Sequence, residues 1–390
     1  LFYQVATSGL DASNISFPLR KVFQHSKNVR VRMAEVKAIN TTNKKLLTNI
    51  GDFDYDILVI ATGADTNFFG NDMMKQNAFP MKSTVEALQI RHRLLHNLED
   101  AVMLNDTEAL QRILNIVIVG GGPTGVELSG AIADMRRFVL PKDYPEIDFS
   151  KMNIYLLEGS PKTLGAMSDK SSADSLNYLR KLEVQVLTNT LIKDYDGNTA
   201  TMNDGMQIET AMVIWAAGIK GNIPAGINTE MVAKGNRIKI DRHCKVLNED
   251  SIYAIGDVAF MEEPAWPNGH PQVAPIAIQM ADMLAKNLQR VQKKNVQPDL
   301  YEFVYKDKGA MATVGRNLAV VDVPKPKLHF HGFFAWLIWM ALHLMLILGV
   351  KNRFFVFSNW LYNYFTYDQN LRLIFKAFYK EKNELEFPQT

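Results

Sequence analysis

The sequence predicts an α/β fold of two interleaved Rossmann-like domains followed by an apolar helical C-terminal region. Three observations predict it. The stretch Asn115–Ala131 joins a β-branched run to a glycine turn and then to a helix rich in small residues. Two further apolar runs, ending in Ala61-Thr62-Gly63 and Ala216-Ala217-Gly218, flank that stretch on either side. After Pro324-Lys325-Pro326-Lys327 the composition turns abruptly apolar and aromatic.

At 390 residues the chain is long enough for two or three domains with substantial cores. Its net charge of +2 gives no strong field, so nucleic acid is not an expected partner. A single cysteine, Cys244, excludes an internal disulfide or a Cys-x-x-Cys redox pair within this sequence. The eight histidines are scattered with no zinc-type spacing, so no metal is expected. No signal peptide is visible, although the sequence starts at Leu1 rather than at a methionine.

Ile116-Val117-Ile118-Val119 reads as a buried strand, and Gly120-x-Gly122-x-x-Gly125 follows it directly. Gly120 allows the tight turn, Gly122 lets a pyrophosphate approach the backbone, and Gly125 lets the helix pack close on the strand. The helix N-terminus offers unpaired N–H groups and a positive dipole end to phosphate. A second strand, Met152–Leu157, ends in Glu158, an acid placed to bind a ribose 2′-hydroxyl and to repel a 2′-phosphate. NADH is therefore expected over NADPH, with Gly218 closing the same site. The spacing from Gly125 exceeds the usual ~20 residues, so Pro141–Pro145 is expected to form an extra loop.

Before this unit, residues 29–59 alternate in short runs with Asn-rich turns, which suits a small β-meander. Tyr55–Gly63 then reads as a buried strand closing on small residues. Ser83 onward carries a helical pattern. After β-like sequence at Leu182–Leu187 and Met212–Gly218, a Gly/Pro/Asn linker crosses 220–228. Ser251–Asp257 is an apolar strand ending in Gly256-Asp257, a Pro-rich loop feeds a helix from Ile276 to Val291, and a hairpin is expected around 303–305 and 312–321.

In this order the motifs resemble the pyridine nucleotide-disulfide oxidoreductase superfamily, and within it the type II (non-proton-pumping) NADH:quinone oxidoreductases. The resemblance rests on Leu1–Thr7, Ile60–Gly63, Val117–Glu127, Val213–Gly218, Ala254–Asp257, Ala274–Gln279, Lys308–Gly315 and the aromatic tail. It implies FAD and NADH as cofactors, with hydride passing from NADH to flavin and two electrons on to a membrane quinone, ubiquinone or menaquinone. Thr7, Ala61, Thr62, Gly63, Gly256, Asp257 and Ala274 would line the FAD, Asp257 on the ribityl hydroxyls; an Asp capping the next helix is the plainer alternative. The family's first βαβ unit is not in the sequence, so the chain is expected to be N-terminally truncated. The domains would run 1–82 (FAD-binding, first part), 83–228 (NADH-binding), 229–325 (FAD-binding, second part) and 326–390 (membrane-anchoring).

The family's Ala-Gln-x-Ala-x-Gln appears here as Ala274-Pro275-Ile276-Ala277-Ile278-Gln279, so only Gln279 carries over as a quinone contact. Lys308, Gly309 and Met311 fall where the family lines its quinone tunnel. Gln279 as a helix-surface amide and Lys308 as a solvated hairpin charge remain alternatives. Glu127 matches an acid near the nicotinamide–flavin contact, or else complements the helix dipole from the first turn. Gln279, Lys308 and Glu127 are the candidate catalytic residues.

Phe333–Leu348 is apolar on all sides, and as a helix it would span roughly 24 Å against the ~30 Å of a hydrocarbon core. Arg353–Tyr367 is crowded with aromatics, which suits the interface. Leu371, Ile374, Phe375 and Phe378 with Arg372, Lys376 and Lys380 read as an amphipathic basic helix lying in the membrane surface. The full expectation is two interleaved dinucleotide-binding domains plus a C-terminal helical membrane-binding region, peripheral on the cytoplasmic face of a bacterial membrane. A buried dimer interface is an alternative for the tail and is compatible with a homodimer. Reduction of a soluble electron carrier, or a membrane-tethered NADH-binding protein without activity, are the rival functions.

Overall fold

The computed structural model describes residues 1–292, 299–369 and 371–374. Taken in chain order, α1 (Phe2–Ala6) opens the structure and β1 (Leu58–Ile60) follows an antiparallel meander over 36–54. Next come β2 (Phe79–Pro80), α2 (Thr84–Met103), β3 (Asn115–Val119), α3 (Pro123–Phe138), β4 (Asn153–Glu158), α4 (Asp169–Lys181), β5 (Val184–Thr188) and β6 (Met212–Trp215). Then follow β7 (Ile252–Ala254), α5 (Ala274–Gln292), the antiparallel strands β8 (Ala310–Gly315), β9 (Leu318–Val323) and β10 (Leu328–His331), and the tail helices α6 (Gly332–Leu346) and α7 (Val350–Thr366).

The central sheet has the order β2-β6-β3-β4-β5 and is parallel throughout. All five residues of β3 are buried, as a strand covered on both faces requires. Its two-residue alternation divides them: Ile116 and Ile118 join the core under α2 and α3, while Val117 and Val119 face Met74, Tyr195 and Met202 on the other side. From β3 the chain moves outward through β4 and β5, then returns to β6 on the opposite flank. The direction of winding therefore reverses between β3 and β6, and a crevice opens there at the strand ends. Ser83 and Glu86 form a capping box at the start of α2, which turns the chain into this lobe.

A second lobe pairs β1 with β7 in parallel over a separate core of Ile60, Ile252, Ala254, Ile276 and Met280. The two lobes interleave as the flanking Ala-Thr-Gly and Ala-Ala-Gly runs predict. β1 is less buried than expected: Val59 is 37% exposed, because a two-stranded pair covers only part of each strand.

The β8-β9-β10 sheet packs on α3 rather than standing apart. Gly130 makes this possible, since a Cβ there would lie 1.4 Å from the Val314 carbonyl oxygen. Trp339, Val356 and Trp360 of the tail enter the same core as Ile118 and Val126.

Three local expectations are corrected, and one element is new. The segment after α3 is a helical turn, Leu140–Asp143, and not a loop alone. Phe303–Tyr305 forms no strand; Phe303 is buried beside α5, and the hairpin is β8–β9. A short helix, Thr107–Leu114, precedes β3 without having been anticipated. Leu371–Ile374 is not helical, and Arg372 folds back onto Asp143 and Asp368 instead of joining a basic stripe. Phe375, Lys376, Phe378 and Lys380 lie outside the described residues.

Gly130→Ala tests the α3–β8 contact. It is expected to lower stability by ~3 kcal/mol or more, because backbone and not a flexible side chain must move. Urea denaturation measures it, and a loss under about 1 kcal/mol would mean that helix and strand part easily.

Candidate functional site

The crevice between β3 and β6 is built from glycines whose surroundings differ. At Gly120, φ is +110° and a Cβ would meet the Ala216 carbonyl oxygen at 2.6 Å. At Gly125 a Cβ would lie 1.9 Å from the Gly120 carbonyl oxygen, so helix and turn touch backbone to backbone. Gly122 has nothing within 4 Å, which leaves its backbone open to an approaching ligand. Gly122 is also the N-cap of α3 and supplies no side-chain cap, so the first N–H groups of a 16-residue helix remain available. The three glycines thus turn the chain, open it and pack it.

Glu158 ends β4 beside this turn. Its Oε2 accepts from the Gly121 N–H at 2.7 Å and its Oε1 from Ser160 N–H at 2.7 Å. Both oxygens keep a second lone pair for a ligand hydroxyl. Gly121 is a fourth glycine with a task that the fingerprint did not announce: a Cβ there would stand 2.9 Å from the Glu158 side chain. Gly218 lies just past β6, where a Cβ would press on the ring of Phe69 at 2.8 Å.

A second crevice lies where β1 and β7 end together. Ile255 N–H donates to Ile60 O at 3.0 Å, which sets Ala61-Thr62-Gly63 beside Gly256-Asp257. Gly256 has φ of +72° and faces the Ala277 side chain of α5, so Ala274 at the start of that helix adjoins the same turn. Gly63 has open space around it, and Ala61 and Thr62 are exposed. Asp257 Oδ2 accepts from Lys82 Nζ at 3.1 Å, while its carbonyl accepts from Gln272. A bare, glycine-edged trough at the ends of two parallel strands, with a carboxylate at its rim, fits the ribityl and phosphate portions of FAD. Thr7 is buried, its hydroxyl donating to Tyr3 O at the end of α1.

The candidate catalytic residues are not gathered in one place. Gln279 is committed to the chain: its Nε2 donates to Lys306 O at 3.0 Å and its Oε1 accepts from Lys306 N–H at 2.9 Å. The amide clamps the loop that carries Lys308, and Lys308 itself is exposed. Met311 faces the core under the tail.

Glu127 lies elsewhere, in the second turn of α3 and not the first, because the helix begins at Pro123. It lines a cavity of about 160 Å³ between α1, α3, β8 and the tail, together with Tyr3, Asp134, Trp339 and Trp360. Burial raises its pKa to about 7; the Thr313 N–H at 3.4 Å and the nearby Trp339 indole offset burial only in part. A half-buried acid with no full partner in an apolar-walled cavity differs physically from one complementing a dipole at a solvated helix end. Asp134, two turns further along α3, is raised to about 6 by burial, against the Arg316 N–H at 3.0 Å and the Arg316 and Arg137 charges. Asp134 did not stand out in the sequence, and Trp339 and Trp360 were expected in a membrane-facing tail, not beside Glu127; the one available signal was the seven-residue spacing of two acids on α3, which places them on one face.

Glu127 makes stability pH-dependent. Its carboxyl stays neutral to about pH 7 when folded but ionises near 4.5 when unfolded. The associated stability is therefore full below 4.5 and is lost as pH rises through 7. Glu127→Gln removes that loss, so the variant should gain on the parent by roughly 1–3 kcal/mol between about pH 5 and about pH 8. Thermal melts across that range measure it, and parallel curves would contradict the assignment.

Comparison with known proteins identifies the relatives of this chain. The pyridine nucleotide-disulphide oxidoreductase family model matches residues 3–281, and the NDH2 C-terminal domain model matches residues 308–367. A type II NADH:quinone oxidoreductase of Mycobacterium tuberculosis is 34% identical over 374 residues, covering 92% of this chain and 78% of that protein. The type II NADH:quinone oxidoreductase of Staphylococcus haemolyticus is 30% identical over 320 residues, covering 81% and 77% respectively. The structure of NDH2 from Plasmodium falciparum in complex with NADH superposes with a TM-score of 0.85 at 21% identity, covering 95% of this chain and 91% of that one. The chain belongs to the pyridine nucleotide-disulphide oxidoreductase family and, within it, to the type II NADH:quinone oxidoreductases.

Proposed function

We propose that this chain is the catalytic body of an FAD-dependent NADH:quinone oxidoreductase that reduces a membrane quinone without pumping protons. The observation that supports this best is the pair of open crevices, one at Gly120–Gly125 and one at Gly63 and Asp257, in a chain related along most of its length to such enzymes. FAD, when bound, supplies the capacity to take two electrons as a hydride from NADH and return them to a quinone.

The residues of the chain bind, orient and supply protons. Gly120, Gly122 and Gly125 with the free N–H groups of α3 hold the NADH pyrophosphate, Glu158 holds a ribose, and Gly218 shapes the wall. Thr7, Ala61, Thr62, Gly63, Gly256, Asp257 and Ala274 line the flavin trough. Glu127, neutral to about pH 7, is able to give up a proton from its carboxyl and regain one from water near neutral pH. Gln279 acts by positioning: its amide fixes the Lys306 backbone and so presents Lys308. The proposed division keeps FAD-binding segments on either side of an NADH-binding unit, as the sequence-based bounds of 1–82, 83–228 and 229–325 have it, except that β2 pairs with β6 and Met81 bonds to Trp215, which moves residues 79–82 to the NADH-binding unit.

The tail supplies the approach to lipid. Among the described residues no helix is long and apolar enough to cross a membrane. α6, α7 and the turn between them nonetheless leave Phe334 at 72%, Phe365 at 73% and Val350 at 80% exposed, with Leu348, Phe354 and Met345 also bare. An apolar surface of this extent suits insertion into one leaflet, on the cytoplasmic face of a bacterial membrane, where a lipid-dissolved quinone is within reach. A homodimer formed beside that surface is part of the same proposal.

Two measurements follow. Intact protein should carry a yellow flavin that bleaches on addition of NADH and recovers with a ubiquinone or menaquinone analogue; a colourless protein, or one bleached but not recovered by quinone, would overturn the proposal. The double variant Phe334→Asp/Phe365→Asp should lower binding to anionic liposomes by about tenfold or more in flotation, and unchanged flotation would place the lipid contact elsewhere. Deleting the tail from Gly332 is the poorer test, because Trp339 and Trp360 belong to the core.

A further inference from the structure

Lys82 has no place in the glycine fingerprint or in the quinone motif, yet its ammonium bridges the two lobes. Its backbone is fixed on the NADH side. Met81 N–H donates to Trp215 O at the end of β6, and the N–H groups of Lys82 and Ser83 both donate to Glu86 Oε2 at 2.7 Å. Its side chain leaves that lobe and meets Asp257 Oδ2 at 3.1 Å, past the end of β7 in the other. Asp257 is equally constrained: Gly256 before it has φ of +72°, and its own carbonyl is held by Gln272 Nε2 at 2.8 Å. The carboxylate is largely buried, at 17% exposed, and the ammonium half-buried at 35%.

The contact is asymmetric in a useful way. Lys82 occupies Oδ2, whereas Oδ1 accepts no hydrogen bond among the described residues. A carboxylate free to rotate would present either oxygen to a ligand, but one pinned through Oδ2 presents Oδ1 in a single direction. The rim beside it, Ala61-Thr62-Gly63, is open. We propose that Lys82 is a positioning residue for the flavin: it fixes the Asp257 carboxylate so that Oδ1 accepts a hydroxyl of the ribityl chain, and it does so from the NADH-binding lobe. The proposal rests on the FAD assignment above and adds to it a named partner in the opposite lobe. Loss of that partner leaves Asp257 present but unaimed, so the effect falls on flavin affinity.

The test uses intact protein stripped of flavin and titrated with FAD, followed by quenching of flavin fluorescence. Lys82→Met is expected to weaken FAD binding by about tenfold, as loss of a hydrogen bond to a charged group implies. Lys82→Arg, which keeps a cationic donor, should restore at least half of the lost binding in logarithmic terms. Asp257→Asn should weaken binding on its own, and Lys82→Met added to it should cost little more, since the two residues act as one unit. If Lys82→Met does not fold, Lys82→Gln carries the same expectation. Affinity within twofold of the parent, losses that simply add in the double variant, or no rescue by arginine would each overturn the assignment. Failure of the parent protein to take up FAD at all would instead remove the flavin reading beneath it, so the two failures are told apart.

Discussion

The structure depends on how closely α3 approaches backbone on two sides. At its start, Gly125 lets the helix touch the Gly120 carbonyl, and one turn and a half later Gly130 lets the same helix touch the Val314 carbonyl of β8. Either glycine replaced by a larger residue would force main chain apart, which costs far more than moving a side chain. The first contact makes the nucleotide turn. The second seats the C-terminal sheet on the same helix, so the tail is built directly onto the element proposed to bind NADH.

From that packing comes the electrostatic character of the interior. Because β8 and the tail pack over α3, Glu127 and Asp134 lie half-buried in a cavity walled by Tyr3, Trp339 and Trp360 and not on an open helix face. Desolvation dominates both, and the partial partners of each, the Thr313 N–H for Glu127 and the Arg316 N–H for Asp134, do not cancel it. An acid neutral near pH 7 is a usable proton source for a reaction that adds protons to a quinone. The same helix thus presents N–H groups to phosphate at one end and carboxylic acids along one face. Lys82 and Asp257 give the corresponding link between the lobes, a charged contact made from opposite sides of the interface.

The tail combines two demands in one segment. Ala335, Trp339, Val356 and Trp360 are buried and hold α6 and α7 to the body, while Phe334, Leu348, Val350 and Phe365 remain bare. Apolar residues on all sides of a short helix are explained by division of labour: one side packs on protein, and the rest stays exposed as the face proposed to meet lipid. Arg372 is drawn to Asp143 and Asp368, so its charge serves the protein fold and not a basic stripe.

The sequence by itself determined the elements whose signals are local. Ile116–Val119, the spacing of Gly120, Gly122 and Gly125, the acid at Glu158 and the Gly256-Asp257 turn were all legible, because strand burial, turn geometry and helix entry are governed by residues within one βαβ unit. The family was legible for the same reason, since its motifs keep their order along the chain. Only the tertiary structure decided what depends on residues far apart. It made Gly130 a backbone contact with Val314, placed Glu127 in a cavity beneath the tail and not at the helix start, engaged Gln279, read as a quinone contact or a surface amide, as a clamp on Lys306, and joined Lys82 to Asp257 across 175 positions of sequence. Burial and pairing are properties of the packed neighbourhood, and no periodicity or motif encodes which distant segment will supply it.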